Sequence, residues 1–267
     1  MVQPEFRTFD IGNMCLACIG DIHGDFPFLR FKIETYVNKY GLTNVAFVLC
    51  GDCGFFGFGE NENKWLSVER FKLNTILSDS GCHLYMFRGN HDNPALFIDE
   101  YIVGDTDKLR NIHVLKDYDI LQSSLYGRIL IVPGAFSIDR SFRTTGLDHF
   151  QDEDVLNLTD EQLTSLGKFD IVLSHSLPYF SEQSNNESFL NPFRKHDSIL
   201  FTSEGDTFDD KMNLQEETLK NIQSHVCAKR WISGHYHKSK EYCVGDTRYI
   251  AIDVKEFYNV TQLYDVD

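Results

Sequence analysis

The chain has 267 residues, with 40 acidic side chains against 25 basic ones and a formal net charge of -15. That length suffices for one large α/β domain, residues 1–267, and requires no second domain. So acidic a balance argues against a bulk nucleic-acid-binding or anionic-membrane surface, though not against a cleft made locally positive by bound metal.

The chain opens without a basic n-region and apolar h-region, so no secretory signal is expected. No apolar run along it is long enough to cross a bilayer. Met14–Ile19 is the first strand-like run. Asp25 then caps a helix with Pro27 in its first turn, and Leu29, Ile33, Val37 and Tyr40 share one face before Gly41 stops it. Val45–Cys50 is a second strand, Glu62–Ser78 a second helix closed by Gly81, and His83–Phe87 a third strand. Further strands follow at Arg128–Val132, Phe169–Leu173 and Lys229–Ser233, and Arg128–Val132 and Tyr242–Val254 look partly antiparallel.

Thr159-Asp160-Glu161-Gln162 has the spacing of a capping box, and Asn213-Leu214-Gln215-Glu216 resembles another, followed by the apolar stripe Leu219, Ile222 and Val226. Strand and helix alternating at this spacing predict α/β layers around mostly parallel strands. The one compositional break is a polar insertion at about 181–213, expected to be irregular and either functional or disordered.

Seven cysteines, an odd number without a small disulfide framework, make a reducing cytoplasm the expected location. Cys15 and Cys18, then Cys50 and Cys53, form two CxxC pairs. The gap between the pairs is long for a zinc ribbon, and strand residues three apart point to opposite faces. These cysteines are read as small apolar residues of the core.

Each major strand ends in a polar cluster. They are Gly20-Asp21-Ile22-His23-Gly24, Gly51-Asp52, Gly89-Asn90-His91-Asp92, Ser174-His175 and Gly234-His235-Tyr236-His237. Carboxyl ends of parallel strands share one sheet edge, so the clusters can converge there. Taken singly, a DxH or HxH pair is an ordinary exposed or hydrogen-bonded feature. Five such clusters on five apolar strands are not. The combined set holds two Asp, one Asn and four His apart from His91 and Asp92, with no thiolate, which suits manganese, iron or zinc. Seven donors are too many for one tetrahedral ion and fit two ions if one carboxylate bridges them.

The order DxH, GD, GNHD, H, GHxH, running from Asp21 to His237, resembles the calcineurin-like metallophosphoesterase superfamily. The resemblance implies a four-layer α/β/β/α sandwich, two mixed sheets flanked by helices, with a dinuclear metal centre. It assigns Asp21, His23 and His237 to one ion, Asn90, His175 and His235 to the other, and Asp52 to the bridge. The cofactor implied is two divalent metal ions, manganese first with iron or zinc as alternatives. A metal-bridging hydroxide would attack phosphomonoesters or phosphodiesters, His91 would act as acid or transition-state stabiliser, and Asp92 would orient it. Each glycine before a ligand is expected to let the backbone turn sharply.

Arg140 and Arg143, after the strand at 128–132, are candidates to clamp a phosphate. His149 and Glu153 are possible neighbours of the cleft. The GDxVDRG and GNHE motifs of the superfamily's protein phosphatases are absent, which argues against that branch. Phe55, Phe56 and Phe58 would either stack on a base, giving a cyclic-nucleotide phosphodiesterase or nuclease, or pack in a core turn. A protein-binding scaffold on the same fold is the reading of another class, and retention of all seven ligand positions weighs against it.

Overall fold

The computed structural model describes residues 6–55, 64–104, 108–179, 186–201 and 205–260. In chain order the strands are β1 (Thr8–Gly12), β2 (Cys15–Ile19), β3 (Val45–Cys50), β4 (His83–Phe87), β5 (Ile112–Val114) and β6 (Ile120–Ser123). Then come β7 (Gly127–Val132), β8 (Ile171–Ser174), β9 (Arg230–Ser233), β10 (Lys240–Val244), β11 (Thr247–Ala251) and β12 (Phe257–Val260). The helices are α1 (Phe26–Tyr40), α2 (Arg70–Ser80), α3 (Asp99–Ile102), α4 (Asp160–Leu166), α5 (Glu187–Leu200) and α6 (Phe208–Val226).

Two mixed sheets result. One has the order β12-β2-β3-β4-β5, the other β1-β6-β7-β8-β9-β11-β10. The pleat sends alternate residues of each strand into different cores, because both faces are covered. Ala17, Ile19, Phe47, Leu49, Leu84 and Met86 face a cluster that includes Leu29 and Ile33 of α1 and Leu73 and Leu77 of α2. Their neighbours Leu16, Cys18, Val48 and Phe87 meet Ile129, Ile131, Leu173 and Ile232 of the other sheet. The far side of that sheet, through Leu130, Val172 and Trp231, packs on Leu163 of α4 and Leu219, Ile222 and Val226 of α6. Three successive cores therefore separate four layers, in the order α/β/β/α.

Local signals explain the helix ends. The Asp25 carboxylate accepts the Phe28 N–H at 3.2 Å, and Gly41 ends α1 in the left-handed conformation. The Thr159–Gln162 box caps α4 reciprocally. Asn213 caps nothing; it lies inside α6, which starts earlier at a Thr207 cap that accepts the Asp210 N–H. The described part of the polar insertion is accordingly mostly helical rather than irregular, comprising α5 and the first turns of α6. Cys18, Cys50 and Cys53 are buried as expected of small core residues, whereas Cys15, the first residue of β2, is exposed at the strand's end.

Candidate metal centre

Five parallel strand ends supply the site. Asp21 and His23 follow β2, Asp52 follows β3, Asn90 and His91 follow β4, His175 follows β8, and His235 and His237 follow β9. One group gathers Asp21, His23, Asp52 and His237, whose donor atoms lie within 4.8 Å of one another. Within it, His237 Nε2 is 3.1 Å from Asp21 Oδ2 and 3.0 Å from His23 Nε2. In a second group the Asn90 Oδ1 atom stands 2.9 Å from His175 Nε2 and 3.0 Å from His235 Nδ1. Asp52 joins the two: its Oδ1 is 3.2 Å from His175 Nε2 and its Oδ2 is 4.0 Å from His23 Nε2.

The backbone is bent to achieve this. His23, Asp52, His235 and His237 all have positive φ, between 45° and 72°. Non-glycine residues avoid that region, and clusters of exceptions mark functional sites. The preceding glycines act otherwise than expected at three positions, and only Gly51 has positive φ; a Cβ on Gly20 would lie 2.1 Å from the Asp253 carbonyl oxygen. A Cβ on Gly89 would lie 2.1 Å from Asp52 Oδ1, and one on Gly234 would lie 2.1 Å from Asp21 Oδ1. None of these three has positive φ; Gly89 and Gly234 are needed for the room they leave to the carboxylates.

Two buried carboxylates among imidazoles set the electrostatics. Burial pushes the Asp52 carboxyl up, but His175, His91 and His23 outweigh it and hold it well below the usual range. Burial pulls the His175 imidazole down, and Asp52 overcomes this to raise it to about 9. His235 is lowered strongly by burial and by the charge of His175. Protons on imidazole thus neutralise the carboxylates, and a divalent cation can do the same while displacing them. The oxygen and imidazole donors fit manganese, iron or zinc.

The neighbouring candidates divide. His91 borders the cavity: its backbone N–H donates to Asp52 Oδ1 at 2.9 Å, and its Nε2 accepts from the Arg143 guanidinium at 2.7 Å. Burial, with Arg143 and His23, lowers its pKa against the pull of Asp52. Asp92 does not serve as partner to His91. Its buried carboxylate instead accepts the N–H groups of Cys53, Gly54, Phe55 and Gly89 at 2.8–3.0 Å, clamping the loop that carries Asp52.

Arg140 is turned away from the site and paired with Asp197 of α5, which removes it from phosphate binding. His149 and Glu153 lie beside each other, 3.9 Å apart, lining a separate cavity with Arg140. Phe55 is fully buried against Phe26 and Trp65, so it packs the core and cannot stack on a substrate; Phe56 and Phe58 lie outside the described residues. Ser137 is a residue that motif reading misses. Its hydroxyl accepts from the Asn90 amide at 2.8 Å and from Arg143 at 3.2 Å, which turns Asn90 Oδ1 toward the histidines. Serine is too common for sequence to single it out.

Among solved structures, one crystal structure covers 94% of its own chain and 91% of this one at 12% identity, with a TM-score of 0.52, which shows the shared fold. The Thermus thermophilus protein TT1561 gives 14% identity and a TM-score of 0.48, covering 91% of this chain and 90% of that one. Phosphopantetheinyl hydrolase from Mycobacterium tuberculosis gives 13% identity and a TM-score of 0.45 over the same shares. No curated protein sequence matches. Among the described residues no helix is long and apolar enough to cross a membrane. The family model for calcineurin-like phosphoesterases matches residues 14–239, from the first site-bearing strand past His237. With a four-layer sandwich, its Asp, Asn and His donors gathered at the strand ends, and a match over that span, the chain belongs to the calcineurin-like phosphoesterase family.

Proposed function

We propose that this protein hydrolyses phosphate monoesters or diesters with two divalent metal ions held at the strand ends. Asp21, His23 and His237 hold one ion, Asn90, His175 and His235 the other, and Asp52 serves both. The observation that carries this reading is the division of the donors into two groups that meet at Asp52, whose two oxygens face different groups. Manganese is the first choice, ahead of iron and zinc. When bound, such ions supply Lewis acidity and bring the ionisation of water toward neutral pH.

The chain's own side chains do the rest. Arg143 lines the cavity above the strand ends, its guanidinium donating to His91 and paired with Asp139. An incoming phosphoryl group takes over those N–H bonds, which match its oxygens two at a time. His91, whose Nε2 is freed when Arg143 turns to the phosphoryl group, takes up a proton there from solvent and donates it to the leaving oxygen. Asp92 fixes the Asp52 loop. We infer a cytoplasmic location from the seven cysteines, all of them unpaired.

The test is metal content beside hydrolysis. Purified protein should contain up to two transition-metal ions per chain, by the two-group geometry. Chelation should abolish hydrolysis of p-nitrophenyl phosphate and bis-p-nitrophenyl phosphate, and manganese should restore it. Activity unchanged after thorough chelation and dialysis sinks the reading.

A further inference from the structure

The cavity above the strand ends, about 260 Å³, has two chemically different ends. Asp52, Asn90, His91 and Arg143 form its polar floor and flank, while Phe189 and Phe193 of α5 form a wall. These rings are four residues apart, so they share one helix face. Their centroids are 5.5 Å apart at 58°, and Phe189 remains 39% exposed. Phe142 meets the Phe193 ring edge-on at 5.9 Å and stacks on His196 at 4.1 Å.

The wall is fixed in place. Arg140, in the turn that presents Arg143 to His91, is bonded through both Nε and a terminal nitrogen to Asp197, one turn beyond Phe193 on α5. Leu190 of the same helix is buried against Phe136 and Phe208. Phe193 is half-buried and packs against the Leu190 cluster, which backs the wall, while Phe189 stands exposed beside the polar floor. What the site offers is an open aromatic face beside a polar, phosphate-sized floor, on which a flat ligand ring gains by stacking.

We propose that Phe189 and Phe193 form a stacking wall that selects phosphate esters bearing a planar ring, a nucleobase or an aryl group, over alkyl phosphates. This rests on the phosphoesterase reading and names the substrate class of that site. Stacking on an aromatic side chain contributes about tenfold or more to affinity per base.

The experiment measures Kd by calorimetry for manganese-loaded full chain with phosphonates, which share a phosphoryl head and resist hydrolysis. Ethylphosphonate, hexylphosphonate, benzylphosphonate and the phosphonate isostere of adenosine 5′-monophosphate form the set. Benzylphosphonate should bind about tenfold more tightly than ethylphosphonate. A further gain for the adenosine compound identifies a nucleotide site, and equal affinity identifies an aryl site. Phe189→Ala should abolish the ring preference and Phe189→Tyr should keep it, with melting temperature read alongside.

Ethyl and benzyl compounds binding within twofold of each other would overturn the proposal. So would hexylphosphonate matching benzylphosphonate, or a ring preference that survives Phe189→Ala combined with Phe193→Leu. A protein that hydrolyses p-nitrophenyl esters without ring preference sinks this inference alone. One that hydrolyses none and binds no phosphonate sinks the phosphoesterase reading with it.

Discussion

Arg140 and Asp197 face each other across two hydrogen bonds of 2.7 and 2.9 Å, with both side chains buried. The guanidinium also lies 4.0 Å from the centroid of Phe201. Removing one partner of such a pair leaves a buried uncompensated charge. Arg140→Ala should therefore destabilise the protein by about 3–5 kcal/mol in urea denaturation. Arg140→Met with Asp197→Leu should recover most of that loss. A single variant within ~0.5 kcal/mol of wild type would show that the pair holds nothing together.

Asp52 and His23 give a prediction in metal stoichiometry. Asp52 touches both donor groups, so Asp52→Ala should lower occupancy at both sites, whereas His23→Ala should empty mainly one. Elemental analysis of the purified variants decides this. Two metals retained by Asp52→Ala would remove that residue from the bridge.

Adjacent residues His91 and Asp92 should fail differently. His91→Ala should keep both metals and lose roughly 10²–10⁴-fold in rate on alkyl phosphates, with a smaller loss on p-nitrophenyl phosphate, whose leaving group needs little protonation. Equal losses on both would refute the acid role. Asp92→Ala strands four buried N–H groups around Asp52. Its melting temperature and metal content should fall together, and normal metal content with only slowed turnover would return Asp92 to an orienting role.

Glu153 supplies a pH dependence. Burial raises its carboxyl pKa to about 7 from an ordinary 4.5, against bonds to the Phe150 N–H and the Ser137 hydroxyl. Between those values the folded state keeps a proton that the unfolded chain releases. Its contribution to stability is complete below pH 4.5 and is lost as pH rises through 7. Glu153→Gln should remove that decline, leaving the variant about 2–3 kcal/mol more stable relative to wild type at pH 8 than at pH 4.5. Parallel stability–pH curves for the two proteins would count against the shifted carboxyl.

How legible the molecule was depended on whether the signal was local. β2, β3 and β4 lie under cover on both faces and so read as unbroken apolar runs. The edge strand β5 has three residues, and β1 and β12 mix polar with apolar positions, so neither length nor period announces them. The donor motifs were visible because each pairs a ligand with a strand end. Asn213 misled because Asn-x-x-Glu has the right spacing, while Thr207 begins the same helix earlier. The fate of Arg140 lay 57 residues away at Asp197, beyond any local pattern. Sequence separation also hid the aromatic wall, since Phe189 and Phe193 share a cavity with Arg143 only in the folded chain.

The left-handed backbone at His23, Asp52, His235 and His237 sets selection for activity against selection for stability. Residues held there each carry about 1–3 kcal/mol of unfavourable conformation, which glycine would relieve. A lineage that no longer used the site would gain stability by drifting to glycine at those four positions. Persistence of histidine and aspartate there is what continued use of the site demands.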